Sequence, residues 1–173
     1  MTPFSDNQQE LFVVVDQDDA PVAARTRADC HADATLMHRS VFVLVETRHG
    51  PLYQRRGFGK DSAAGSWDVA CAGHVGVGES YHDAAVRELA EELGVEHAAP
   101  TPVGKLVVAL DAETEMAMVF RLEHDGPFVM RLPEVAGIAV FAAGETPKPL
   151  TAAARIVLEF AARVAASGSL SGS

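Results

Sequence analysis

Glu88, Glu91 and Glu92 fall at relative positions 0, 3 and 4 in a stretch whose apolar residues Ala85, Val86 and Leu89 recur at helical spacing. On a helix all three carboxylates project from one face. Like charges one turn apart destabilise an isolated helix by roughly 0.2 to 0.5 kcal/mol per pair, so the cluster calls for cations. Oxygen ligands of this kind select Mg²⁺ or Mn²⁺. A Glu run more often marks a solvated helix face, but Gly73 and Gly94 bracket this one where tight turns or close backbone approach are needed.

Read outward, the segment is Gly73, five residues, Glu79, seven residues, then Arg87-Glu88-Leu89-Ala90-Glu91-Glu92-Leu93-Gly94-Val95, a pattern fixing nine positions in twenty-three residues. It resembles the complete signature of the Nudix hydrolases. The resemblance implies an α+β fold, an α/β/α sandwich with a mixed central sheet and a loop, helix and loop at the site. It also implies divalent metal on Glu88, Glu91 and Glu92, helped by the backbone carbonyl of Gly73, with Glu79, Arg87 and Gly94 shaping the turn. In that family the metals bridge a diphosphate, offset the charge that moves to the leaving phosphate and lower the pKa of an attacking water. The expected substrate is a small-molecule diphosphate, usually a nucleoside diphosphate joined to another moiety.

A second constellation lies outside this segment. His31 and His38 are seven residues apart, His74 follows Gly73, and Glu113 and Glu115 flank Thr114. Taken singly, each histidine reads as a surface or hydrogen-bonded structural residue. Together the five resemble the metal set of the type I isopentenyl-diphosphate isomerases, a branch of the same fold, in a similarity running from about Leu11 to Phe141. Those isomerases carry a catalytic cysteine immediately before the Gly-His pair. Here Ala72 stands there, and Cys71, one residue back, belongs on the opposite face of a strand. The missing thiol and the intact Arg-Glu-Leu-x-Glu-Glu core favour hydrolysis. Isomerisation and non-catalytic nucleotide binding are the alternatives.

Glu115 is the candidate general base for the attacking water, with Glu113 or Glu134 as substitutes. Arg55, Arg56 and Lys60 are candidate phosphate contacts, against a solvent-facing reading. Trp67 reads as a core or loop anchor rather than a base-stacking ring. Cys30 and Cys71 read as small buried thiols.

Strands must hold these groups. Leu11 to Val15 and Val22 to Arg27 read as a hairpin, and Ser40 to Glu46 as a central strand buried on both faces. Leu52 to Arg56, Trp67 to Ala72, Lys105 to Leu110, Met116 to Leu122 and Gly137 to Phe141 continue the sheet. Ser80 is the expected N-cap of the carboxylate helix, with Asp83 three residues on and Gly94 as its stop. Thr151 to Ala166 forms a terminal helix whose core face is Ile156, Phe160 and Val164. One domain over 1–166 is expected, with 167–173 a disordered tail.

A net charge of -10 argues against a grip on a nucleic-acid polymer, which needs clustered cations. It accommodates an anionic small molecule if divalent ions lie between the two sets of oxygens. Two cysteines point to a reducing cytoplasm rather than a disulfide framework. No apolar run suits export or a membrane. A homodimer is a common state for proteins of this resemblance, though no feature marks an interface.

Overall fold

The run Val41-Phe42-Val43-Leu44-Val45 lacks polar alternation because both of its faces are covered. In the structure, a computed structural model describing residues 6–60, 62–132 and 134–169, this run is the middle of a ten-residue strand. The chain order is β1 (Leu11–Val15), β2 (Pro21–Thr26), α1 (Arg27–Ala32), β3 (His38–Thr47), β4 (Gly50–Arg56), β5 (Trp67–Val69), β6 (Cys71–His74), α2 (Tyr81–Leu93), β7 (Thr101–Ala109), β8 (Thr114–Glu123), β9 (Val135–Val140) and α3 (Ala152–Ser169).

β3 organises a mixed sheet. It runs parallel to β8 from His38↔Glu115 to Glu46↔Glu123, and antiparallel to β6 from Ser40↔His74 to Val43↔Cys71. Its far end pairs with β4, which also carries β5 and β9, while β7 lies outside β8. One face of β3 presents Val41, Val43 and Val45 to Ala84, Ala85, Leu89 and Leu93 of α2. The other presents Phe42 and Leu44 to Ala154, Val157 and Ala161 of α3. Burying each of the two α2 leucines contributes roughly 1.5 to 3 kcal/mol. The result is the expected sandwich of helix, mixed sheet and helix.

Local chemistry sets the ends of α2. The Ser80 side chain accepts the Asp83 N–H at 3.1 Å and its hydroxyl donates to the Asp83 carboxylate at 2.7 Å. Gly94, at φ 65°, closes the last turn by donating its N–H to Ala90.

Several elements differ from the sequence reading. The stretch from Trp67 to Ala72 is two strands, since the chain changes partner at Ala70: β5 continues β4, and β6 crosses to β3. Helix α1 was unanticipated, and its six residues are stabilised by a reciprocal cap between Thr26 and Asp29. In α3 the fully buried stripe is Ala154, Val157 and Ala161; Ile156 and Phe160 of the expected face are partly buried against the same core. Small residues let the helix lie close to the sheet, Phe160 reaches sideways to Gly104, and Val164 is exposed. The helix continues to Ser169, into the expected tail, and 170–173 lie outside the described residues. Among the described residues no helix is long and apolar enough to cross a membrane.

Candidate active site

Glu88, Glu91 and Glu92 leave α2 toward the edge of β6 and line one wall of a cavity of about 440 Å³. A β-carbon on Gly73 would sit 2.1 Å from the Glu88 Cδ, so the glycine opens the path by which Glu88 passes the strand. Glu92 is buried and accepts hydrogen bonds on Oε2 from Gln54 Nε2 at 3.0 Å and from the Ala72 N–H at 3.3 Å. Glu91 is more open. Burial first, and then neighbouring carboxylates, push the pKa values of Glu88 and Glu92 upward. Two enclosed carboxylates that resist ionising together are a donor set that a divalent cation would complete.

Arg87 ties this wall to the preceding turn. Its Nε and Nη2 donate to the two Glu79 oxygens at 2.8 and 3.0 Å, and Nη2 also donates to the His74 carbonyl at 2.9 Å. Its Nη1 reaches Glu88 at 2.7 Å and Glu91 at 3.3 Å. Glu79 in turn accepts the Gly76 N–H at 2.9 Å. Hydrogen bonds from Arg87 and Gly76 outweigh its desolvation and keep the Glu79 pKa below the ordinary carboxylate value.

The opposite wall holds the histidines. Ligand atoms of His31, His38, His74 and Glu113 all lie within 4.8 Å of one another. They arrive from α1, the start of β3, the end of β6 and the turn before β8. Phe12 stacks on His74, with ring centroids 4.0 Å apart, and on His38 at 5.2 Å. His38 Nδ1 donates to the Leu36 carbonyl at 3.2 Å, which leaves Nε2 as the lone-pair nitrogen facing the group. Burial lowers the His38 pKa to about 4 and holds that of His74 well below the usual imidazole value. Both rings are therefore neutral at physiological pH, and neither Nε2 has a hydrogen-bond partner among the described residues. Neutral, buried, convergent imidazole nitrogens beside a carboxylate fit a transition-metal ion.

Glu115 stands at the edge of this set, 3.7 Å from His74 Nε2, and accepts the Ser40 hydroxyl at 3.2 Å. Burial, then the Glu113 charge, raise its pKa to about 8. It lines the same cavity as the three helix carboxylates.

A NUDIX domain family model matches residues 36–160, which span the carboxylate helix, most of the sheet and the first half of α3. The chain belongs to the Nudix hydrolase family. An uncharacterised Nudix hydrolase of Pseudomonas aeruginosa is 34% identical over 128 residues, covering 73% of this chain and 75% of that one. An isopentenyl-diphosphate Δ-isomerase of Photorhabdus laumondii is 38% identical over 86 residues, and there the match covers 49% of this chain and only 48% of the relative. Among solved structures, DR0079 from Deinococcus radiodurans superposes with a TM-score of 0.72 over 87% of this chain and 98% of its own, at 24% identity, a likeness of fold. A MutT Nudix hydrolase from Burkholderia pseudomallei gives 0.57 at 26% identity, covering 69% and 96%.

The strand pleat of this Nudix domain sorts the remaining expected residues. Ala72 faces the cavity beside Ser40 and Phe42, whereas Cys71 is buried in the α2-side core, as the one-residue offset demands. Arg55 and Arg56 are neighbours on β4, so only one can face the site. Arg56 lines the cavity and pairs with Asp68 at 3.5 Å. Arg55 turns away, donating to the Gly65 carbonyl at 2.9 Å with its guanidinium over Phe58, which corrects the expectation that it contacts substrate. Lys60 lines the cavity, ion-paired to Glu134 at 2.6 Å and to Asp6 at 3.2 Å. Trp67 is an anchor: its backbone exchanges hydrogen bonds with Pro149 and Thr151, and its ring meets Phe141 edge-on. Cys30 is buried.

Sequence reasoning missed Arg27, Asp68 and Gln54. Arg27 enters the cavity wall from α1, paired with Asp6 at 3.4 Å. A capping signal at Thr26 and Asp29 could have found that short helix; nothing local points to the other two.

Proposed function

We propose that this Nudix domain is a Mg²⁺- or Mn²⁺-dependent hydrolase that cleaves a diphosphate linkage in a small molecule, with a nucleoside diphosphate derivative as the expected substrate class. The observation that carries this reading is the convergence, in one cavity, of three α2 carboxylates with a separate buried carboxylate, Glu115. Glu88, Glu91, Glu92 and the Gly73 carbonyl would hold the divalent ion. When bound, that ion supplies charge neutralisation at the diphosphate and a more acidic water. Glu115 is suited to take the proton of the attacking water, since a base whose pKa is near 8 holds that proton yet releases it readily. Arg87 and Glu79 brace the helix start, and Arg56 and Lys60 are placed to exchange carboxylate partners for substrate phosphate oxygens. The site of action is the cytoplasm.

The histidine set with Glu113 would hold a second, softer ion such as Zn²⁺. That set also motivates a second reading, allylic isomerisation of isopentenyl diphosphate, the reaction named for the Photorhabdus relative. Against it, Ala72 puts a methyl group where the thiol of those isomerases would be.

One experiment separates these. Purified protein is incubated with Mg²⁺ and nucleoside diphosphate derivatives, dinucleotides, nucleoside triphosphates and isopentenyl diphosphate, with products followed by mass and phosphate release. Cleavage at a diphosphate supports the hydrolase. Double-bond migration without phosphate release supports the isomerase, and tight binding without turnover would leave only a nucleotide-binding module. Glu92→Gln is expected to lose at least a hundredfold in kcat while keeping its fold by circular dichroism.

A further inference from the structure

Gln54 is a buried amide at the middle of β4, between Asp68 on β5 and Ile138 on β9, with 3% of its surface exposed. Enclosing a primary amide is unfavourable unless its polar atoms are used. This one is used on a single target: its Nε2 donates to Glu92 Oε2 at 3.0 Å, across thirty-eight residues of sequence. The Ala72 N–H donates to the same oxygen at 3.3 Å.

Two donors on one carboxylate oxygen fix the plane and direction of the group, and hence of the second oxygen. The choice of an amide matters. Arg87, bonded to Glu88 and Glu91, brings a full positive charge that competes with a bound cation for those oxygens. A glutamine orients a carboxylate without neutralising it, leaving its charge available to a metal ion. Gln54 does not line the cavity, whereas Glu92 does, so the glutamine acts from behind the ligand.

We propose that Gln54 is a positioning residue that holds the Glu92 carboxylate in the orientation required for divalent-cation binding. It touches neither cation nor substrate. The inference rests on the reading above that the α2 carboxylates bind the cation.

The test titrates Mg²⁺ against the protein in the presence of methylenediphosphonate, a diphosphate analogue that resists hydrolysis, and reads affinity from the rise in melting temperature. Mg²⁺ is chosen because imidazole ligands disfavour it, which keeps the histidine set silent. Gln54→Met matches the glutamine in length but lacks the donor. It is expected to weaken Mg²⁺ binding about tenfold and to raise the Mg²⁺ concentration for half-maximal turnover by the same factor. At saturating Mg²⁺, kcat and the substrate KM stay within about threefold, a split that general loosening of the core would not give. In a Glu92→Gln background the added Gln54→Met change should have no further effect, because the two act as a unit. If Gln54→Met fails to fold, Gln54→Asn retracts the amide by one carbon and is read the same way. Mg²⁺ affinity within twofold of the parent in the folded variant, while Glu92→Gln loses tenfold or more, overturns the role of Gln54 and leaves the hydrolase reading standing. Unchanged Mg²⁺ affinity in Glu92→Gln overturns the underlying reading itself.

Discussion

The two walls of the cavity solve ligand placement in opposite ways. Three carboxylates on the α2 wall come from five consecutive residues of one helix, and an arginine between them and Glu79 shares their charge. The four ligand groups on the histidine wall come from four separate segments, between His31 and Glu113, and meet only because β3 brings β6 and β8 to its two sides. The first wall is charged and partly open; the second is packed against Phe12 and holds the His38 and His74 imidazoles neutral. A local cluster tolerates drift in the sheet, whereas an assembled cluster depends on register. Hard and softer cations are accordingly expected on different walls of one cavity.

The sharpest way to break the contrast is at Gly73, where both walls meet. A methyl group there would collide with Glu88. Gly73→Ala is expected to lower kcat/KM by about a hundredfold, the scale of a misplacement near 1 Å. Binding of Zn²⁺ by the histidines, read by calorimetry, should change by less than threefold. Equal loss on both walls would show that they are one site rather than two.

The converse substitution is His38→Ala. Its ring is fully enclosed, with one nitrogen fixed by Leu36 and the other turned to the cluster. Zn²⁺ affinity should fall by at least tenfold, while the Mg²⁺ concentration for half-maximal turnover is unchanged. A shift in that Mg²⁺ dependence would merge the two walls.

Titration distinguishes the walls in a third way. Glu115 binds its proton more tightly in the folded protein, with a pKa of about 8 against an ordinary 4.5. Its burial therefore destabilises the metal-free fold progressively as pH rises through that window. Glu88 and Glu92 act in the same direction. His38 does the reverse: with its pKa lowered to about 4 from 6.5, stability is lost as pH falls from 6.5 toward 4. Between pH 6.5 and 8 the carboxylates outweigh the fading histidine contribution, so chelated protein should melt a few degrees lower at pH 8 than at pH 6.5. Glu115→Gln should flatten part of that slope. A melting temperature that climbs over this interval would contradict the assignment of buried, proton-retaining carboxylates.

How far each wall could be read from sequence follows its construction. Gly73, Glu79, Arg87 and the α2 glutamates lie within one helix, its leading turn and the end of the strand before it, and helical spacing alone puts the three glutamates on one side. The histidine wall was suggested only by resemblance, since nothing local tells His31 that His74 will be its neighbour. The sheet was legible in its central strand and blurred at Ala70, because a change of strand partner leaves no compositional mark. The core face of α3 was legible in part: Ile156 and Phe160 pack against the core, but close helix-to-sheet packing gives the most buried positions to Ala154, Val157 and Ala161 and leaves Val164 exposed. Gln54 was invisible for the same reason as the histidine wall: its meaning lies across the fold, in Glu92.

The smallest expected effect tests the cavity's third side, the basic residues of β4 and the loop after it. Strand alternation turns Arg55 onto the Gly65 carbonyl and Phe58, while Arg56 and Lys60 reach the cavity. Each of the latter two is already ion-paired, so binding a phosphate means exchanging one anion for another, and the net gain is modest. Arg56→Ala and Lys60→Ala are therefore expected to raise KM by about three- to tenfold with little change in kcat, the behaviour of contacts made equally in ground and transition states. Arg55→Ala should leave both constants within about twofold, because an exposed contact of this kind is worth less than about 1 kcal/mol. Were Arg55 to matter more than Arg56, the substrate would have to approach across the outer face of β4, and the cavity bounded by the carboxylate and histidine walls would not be where the phosphates lie.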